Sequence, residues 1–351
     1  MKKFNEIFID KTKYGEKIQT SEYEKQGKHI IVDQGQAEIA GYTNREEGLF
    51  NEVPVIIFGD HTRLIKYIDE PFFLGADGVK VLRSKEKNAN YKYLYYALKS
   101  AKIPNTGYNR HFKWLKDVEI NYPDSVKQEK IVDILDRVSD VIEKRKAELS
   151  YLDTLIKARF VEMFGDPVIN SKNLPVVTLG ELSELITKGA SPCWQGFSYT
   201  DDSSQTLFIT SENIREGYID LSSPKYIEDG FNKKQRRSVI CKGDFLINIV
   251  GASIGRAAQF NLDCKANMNQ AAALVRVKDN RIKNKYLLIY LNSDRAKRMY
   301  DSMKSDTGRA NLSLQDISDL NILLPAVDKQ IEFENFVAQV DKSKLQKFSA
   351  A

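Results

Sequence analysis

Cysteine and histidine are scarce in this 351-residue chain: Cys193, Cys241 and Cys264 form no CxxC pair, and only His29, His61 and His111 could join them around a metal. Neither a structural zinc nor a disulfide framework is expected from such a set, and the three cysteines read as small buried residues. Long apolar runs are also missing. Nothing approaches the roughly 18 consecutive apolar residues of a membrane span, and Met1-Lys2-Lys3-Phe4-Asn5-Glu6 lacks a signal-peptide core, so the expected location is the cytoplasm. No Pro-Pro pair and no Gly-Lys-Ser/Thr triplet occurs anywhere. The chain therefore has neither a GxxxxGK[ST] phosphate loop nor the Asn/Asp-Pro-Pro-aromatic motif of amino-methyltransferases, and it is read as not an enzyme of those kinds.

What is present is ordinary globular composition, 42% hydrophobic and 29% charged residues, in a length that suits two or three domains. The net charge of +5 is spread as +2 over 1–124, −1 over 125–170, +4 over 171–325 and 0 over 326–351. Two weakly basic blocks thus alternate with two near-neutral ones. So mild an excess does not by itself identify a nucleic-acid partner.

The same order of features occurs twice. Tyr93-Leu94-Tyr95-Tyr96-Ala97-Leu98 is followed by Asn105-Thr106-Gly107-Tyr108, an apolar segment from Phe112 to Pro123, then Gln128 and a helix. Tyr286-Leu287-Leu288-Ile289-Tyr290-Leu291 is followed by Asp306-Thr307-Gly308-Arg309, a segment from Leu314 to Pro325, then Gln330 and a helix. Upstream, Val55 to Arg63 and Phe245 to Ser253 are each an apolar strand run ending at a Gly turn. The chain reads as a β-rich block, a helix, a second β-rich block and a second helix.

The helices carry the strongest periodicity. Ile131, Leu135, Val138, Ile142, Arg145, Leu149, Leu152, Ile156, Arg159 and Met163 follow unbroken 4-3 spacing, the pattern of a coiled-coil seam. Lys127 to Phe164 would span on the order of 55–60 Å at about 1.5 Å per residue, and Gly165-Asp166-Pro167 supplies a C-cap and a breaker. Phe333, Val337 and Val340 repeat the phase at an offset of 202 residues, in a helix that stops early, near Phe348. The simplest arrangement is an antiparallel coiled coil; a plain helical hairpin connecting the domains is the alternative. Arg145 and Arg159 at seam positions would be snorkelling cations or would meet acidic groups of a partner.

Gly251-Ala252-Ser253-Ile254-Gly255 satisfies the G-x-S-x-G pattern of a hydrolase nucleophile elbow. The following Arg256 to Phe260 reads as a strand rather than a helix, however, and all three histidines precede Ser253. A tight hairpin turn is the better description. Trp114 lies in an apolar segment and is read as core, whereas Trp194, after Pro192-Cys193, would either pack or contact DNA.

The run Gln128-Glu129-Lys130-Ile131-Val132-Asp133-Ile134-Leu135-Asp136, the helix end Phe160-Val161-Glu162-Met163-Phe164-Gly165-Asp166-Pro167, and Gly243-Asp244-Phe245-Leu246-Ile247 leading to Gly251-Ala252-Ser253-Ile254-Gly255-Arg256 resemble the specificity subunits of Type I restriction-modification systems. Ile56 to Arg63 and Gly75-Ala76-Asp77-Gly78 are similar to one branch of their target recognition domains. The resemblance covers nearly the whole chain. It implies an α+β fold with a pseudo-twofold internal repeat: target recognition domains over 1–124 and 171–325, joined by helices over 125–166 and 326–351 that form an antiparallel coiled coil. It also implies a non-catalytic subunit that reads a bipartite, gapped site in double-stranded DNA, with the coiled coil as a ruler. The subunit would dock modification (methyltransferase) and restriction subunits, and S-adenosylmethionine, ATP and Mg would be bound by those partners. The short first block, about 124 residues against about 150, and the short second helix, about 22 residues against about 38, depart from the pattern. They suit a rival reading, a truncated or orphan scaffold or inhibitor that binds the methyltransferase subunits without reading DNA. Paired recognition domains would also support a homodimer when the chain is alone.

Base readout needs donors and acceptors on loops, and phosphates need cations. In the first block the candidates are Arg45, His61, Thr62, Arg63, Lys66, Asn109 and Arg110, near Gln34 and Gln36. In the second they are Arg215, Lys233, Lys234, Arg236, Arg237, Ser253, Arg256, Arg309 and Asn311, near Ser211, Asn213 and Thr307. Paired occurrence in both repeats singles out His61-Thr62-Arg63 with Ser253 and Arg256, and Asn109-Arg110 with Arg309 and Asn311. Lys233 to Arg237 suits phosphates, since adjacent flexible cations attract DNA without regard to sequence.

Overall fold

A computed structural model of the chain describes residues 1–75, 77–107, 109–166, 169–303 and 311–349, with side chains described as far as residue 344. The chain divides into two compact units, Met1–Lys146 and Ala147–Ala351. Among the described residues no helix is long and apolar enough to cross a membrane.

The first unit runs β1 (Lys2–Lys3), α1 (Phe4–Ile7), β2 (Phe8–Asp10), β3 (His29–Val32), β4 (Gly41–Thr43), β5 (Val55–Gly59), β6 (Ile65–Ile68), β7 (Phe72–Leu74), β8 (Val79–Ser84), α2 (Tyr91–Lys99), α3 (Phe112–Leu115), β9 (Glu119–Ile120) and α4 (Ser125–Phe164), which continues into the second unit. Its sheets are open: an antiparallel β2-β8-β5-β6, a β4-β3-β7 in which β3 and β7 run parallel, and a β1-β9 pair. Strand alternation explains why β5 is buried along its whole length. Ile56 and Phe58 face the cluster formed with Tyr93, Leu94 and Leu98 of α2, whereas Val55 and Ile57 face Ile30, Val32 and Phe72 of the other sheet.

The second unit repeats this plan. It runs β10 (Val176–Thr178), α5 (Leu179–Leu182), β11 (Ser183–Lys188), α6 (Pro192–Gln195), β12 (Tyr199–Thr200), β13 (Thr206–Ile209), β14 (Tyr226–Ile227), α7 (Gly230–Lys234), β15 (Phe245–Asn248), β16 (Ala257–Gln259), β17 (Ala266–Met268), β18 (Ala272–Val277), α8 (Asn284–Leu291), α9 (Asp294–Met303), α10 (Leu314–Ser318), β19 (Asn321–Leu323) and α11 (Val327–Ser349). The sheets are β11-β18-β15-β16, β12-β14-β13-β17 with β13 and β17 parallel, and β10-β19. Phe245 and Ile247 again face a helical core, while Leu246 faces the other sheet. The repeat extends to single hydrogen bonds. Tyr93 Oη donates to Asn121 O at 2.5 Å and Tyr286 Oη to Leu323 O at 2.9 Å; Gln128 Nε2 donates to Pro123 O and Gln330 Nε2 to Pro325 O, both at 2.8 Å.

Helix α4 is 40 residues long and begins two residues before the expected Lys127, with Asp124 Oδ1 accepting from the Lys127 N–H at 3.0 Å. It ends at Gly165, whose φ of 80° is the left-handed C-cap conformation and whose N–H donates to Val161 O; Pro167 lies outside the described residues. Within the second unit α4 and α11 pair antiparallel. Arg159 bonds Glu332 at 3.0 Å, Lys344 reaches Asp153 at 2.6 Å, and Leu152, Ile156 and Met163 share a core with Phe333, Val337 and Val340. Phe160 and Phe164, which the heptad reading did not single out, supply the centre of it, with ring centroids 5.5 and 5.4 Å from Phe333.

The seam does not run unbroken along α4, which corrects the heptad reading. Ile131 packs on the first unit's own core, Leu135 and Leu149 are half-buried, and Val138 and Ile142 are each 47% exposed. The physical reason is length: α11 has 23 residues against 40, and a heptad shows which face is apolar but not what covers it. Arg159 is an internal ion-pair partner, bonded to Glu162 as well as Glu332. The cysteines are a second correction. All three are exposed, because Cys193 sits on the surface of α6 and Cys241 and Cys264 lie in connections outside the sheet cores. Trp114 is half-buried, 5.3 Å from the His111 ring.

Candidate nucleic-acid interface

In the first unit four connections meet at one end of the β5–β8 pair. Gln34, after β3, ties them together: its Oε1 accepts from the His61 N–H at 3.1 Å, its Nε2 donates to Asp77 O at 2.8 Å, and its backbone O accepts from Thr62 Oγ1 at 2.7 Å. Gly59 is required here, since a Cβ would lie 2.2 Å from Thr62 Oγ1. The fourth connection, before α3, is held by Asp60. This buried residue accepts the His111 N–H on its backbone O and the Phe112 N–H on Oδ1, each at 2.7 Å.

These bonds place several expected residues side by side. His61, Thr62 and Arg63 form the β5–β6 turn, with the Arg63 guanidinium 3.4 Å from Ile103 O of the pre-α3 connection. Asn109 and Arg110 lie on that same connection, where Asn109 Nδ2 donates to Thr106 O. Lys17, hydrogen-bonded to Asp77, holds its carboxyl below the usual range, and the Arg110 charge acts in the same direction. Arg110 is exposed and makes no ion pair among the described residues. Arg63 has φ 62°, a left-handed conformation that non-glycine residues rarely adopt.

Two first-unit candidates stand elsewhere. Arg45 is paired with Glu16 at 3.4 Å. Lys66 is only 8% exposed, and its Nζ donates to Ala37 O at 2.5 Å beside Asp33. Burial lowers its affinity for a proton despite that carboxylate. Its expected place among the DNA-contacting residues is corrected: it braces the 33–38 connection from beneath.

The second unit presents the corresponding β15–β16 turn. Gly251 and Gly255 have φ 81° and 85°, and Ser253 lies on a short 3-10 turn between them, with a strand following; this is a hairpin and not a nucleophile elbow. Asn248, fully buried at the end of β15, donates from Nδ2 to Ser211 O and to Ser253 Oγ, both at 3.0 Å. Sequence reasoning passed over Asn248; the signal was a buried amide in an otherwise apolar strand. Asn311 pairs with Val250, and the Leu312 N–H donates to Ile249 O, so the connection before α10 folds onto this turn as its counterpart does before α3. Arg256 is half-buried and makes no ion pair among the described residues. Arg309 and Thr307 lie outside the described residues.

Arg215 pairs with Asp220 at 3.3 Å on a turn whose Gly217 N–H donates to Ala257 O, next to Arg256. Asn213 is internal, bonded to Thr210 and to Asp220 O. Lys233, Lys234, Arg236 and Arg237 are all exposed, on α7 and the 3-10 turn after it. A buried polar network fixes this segment: Ser238 Oγ donates to Asn267 Oδ1, and Asn267 Nδ2 to Asn232 Oδ1 and Gln235 O. The backbone beneath four exposed cations is thereby held in place.

The fold and these paired turns define a class: tandem open-sheet blocks, each with a polar hairpin turn braced by its neighbours and followed by a long helix. The chain belongs to the Type I restriction modification DNA specificity domain family, whose profile matches residues 1–151 and 172–347. It is 23% identical over 326 residues to the specificity subunit of the Type I restriction enzyme EcoR124I/EcoR124II of Escherichia coli, covering 86% of this chain and 76% of that protein. It is 24% identical over 311 residues to the EcoBI specificity subunit of Escherichia coli, covering 80% of this chain and 65% of that protein, just under two thirds. The crystal structure of the S subunit of a Type I restriction-modification system from M. genitalium has the same fold, with a TM-score of 0.51 and 17% identity over 99% of this chain and 91% of that one.

Proposed function

We propose that this chain is the non-catalytic, sequence-reading subunit of a Type I restriction-modification complex and recognises a bipartite, gapped site in double-stranded DNA. The observation that carries the reading is the paired turn. In both units the β-hairpin turn at one sheet end is locked by a buried amide or carboxyl group and covered by the connection before the following short helix. Rigid placement of polar groups is what discrimination between base edges requires. Target recognition domains over 1–124 and 171–325 would each read one half-site, and the helices over 125–166 and 326–351 would set the gap. The modification and restriction subunits would bind S-adenosylmethionine, ATP and magnesium, and the methyltransferase would flip the target adenine from the stack. Ile134, Val138, Val141 and Ile142, all exposed on α4, support docking of a partner's apolar helix face.

Selection from a random duplex pool tests this reading. The chain assembled with modification subunits should enrich duplexes sharing two short blocks at one fixed separation. A stable complex that enriches nothing would favour the scaffold or inhibitor reading, and an ungapped consensus would overturn the two-domain account.

A further inference from the structure

Trp194 is 90% exposed, the most exposed large apolar side chain among the described residues. The backbone that carries it is fixed. Helix α6 starts with Pro192 and closes at Gly196 (φ 82°), whose N–H donates to Cys193 O. The next residue, Phe197, packs on Phe231 of α7 with ring centroids 5.6 Å apart, and a Cβ on Gly230 would come within 2.9 Å of that ring. The adjoining polar contacts lead to the basic segment: Lys234 Nζ donates to Gln195 O at 2.9 Å and Gln235 Nε2 to Gln195 Oε1 at 3.0 Å. A solvated indole therefore stands on a short helix whose Gln195 is hydrogen-bonded to the segment that carries four exposed cations.

We infer that Trp194 is a DNA contact of the second unit, an apolar wedge that enters the duplex while Lys233, Lys234, Arg236 and Arg237 hold the flanking phosphates. The inference rests on the DNA-reading function proposed above. Charge complementarity selects the occupant, since isolated aromatic side chains framed by cations suit unstacking and groove insertion. A protein partner would be matched by a contiguous apolar patch, and here Phe208 and Phe231 are buried beneath the surface while Lys234 and Gln235 are hydrogen-bonded to Gln195, the residue after Trp194.

The chain has two tryptophans, so W114F leaves Trp194 as the sole indole reporter. Titrated at low salt with a short mixed-sequence duplex whose label reports binding by anisotropy, its red emission should be quenched in step with binding. W194A should weaken binding about tenfold, with an unchanged circular dichroism spectrum because the side chain supports no core. Binding with unaltered Trp194 emission and no loss in W194A overturns the inference and leaves the DNA-reading function standing. Emission that changes with protein concentration alone makes a second copy of the chain the occupant and also overturns it. Absence of duplex binding by any form, with or without modification subunits, overturns the DNA-reading function itself.

Discussion

Arg63 is a residue at which stability and the proposed DNA contact can be separated. Its left-handed backbone costs an L-residue roughly 1–2 kcal/mol relative to glycine, offset in part by glycine's greater freedom when unfolded. Arg63→Gly should therefore leave stability unchanged or raise it by up to about 1 kcal/mol in urea denaturation, while weakening duplex binding by the same chain. A loss of stability would show that the Ile103 contact, and not DNA, explains the arginine. Residue types were legible in the sequence at this scale, but environments were not. Arg63 and Lys66 are neighbouring cations in a polar turn and strand, yet one reaches the surface and the other is buried under the Ala37 carbonyl. Strand alternation decides between them only once it is known that β6 has a second sheet behind it. Burial of the cysteines failed for a related reason, since a residue's average preference says little when the chain around it is a connection.

At the level of elements, the heptads made the helices and the internal repeat legible because their period is local, whereas the covering of each face depends on residues nearly two hundred positions away. The consequence is a contrast along one helix. Phe160→Ala removes a ring packed against Phe333 and Tyr286 and should cost about 3–5 kcal/mol in denaturation. Val138→Ser, on the exposed stripe, should change the stability of the chain by no more than about 0.5 kcal/mol yet reduce co-purification of a modification subunit. Equal effects of the two substitutions on stability would mean that the stripe is covered within the chain. The sheets were the least legible elements. Strands of three or four residues such as β3, β4 and β7 carry too few positions for a period to show, and the parallel β3-β7 pairing joins segments separated by a whole hairpin.

On the whole-molecule scale, the proposed reading assigns electrostatic attraction to one surface and discrimination to two. The cations of 233–237 should govern the first. Replacing Lys233, Lys234, Arg236 and Arg237 by alanine should flatten the dependence of log binding constant on log salt by up to about 3–4, near 0.9 for each phosphate no longer neutralised, without altering the sequence preferred. An altered preference would mean that they read bases. The central claim, that each repeat reads half of one site, is tested most directly by mapping methylated adenines across the genome of a host without other adenine methylation, in which this chain is co-expressed with its modification subunit. The expected result is one gapped motif modified on both strands, with Arg256→Ala relaxing one block of it and Arg110→Ala the other. An ungapped motif, or both substitutions relaxing the same block, would contradict the claim.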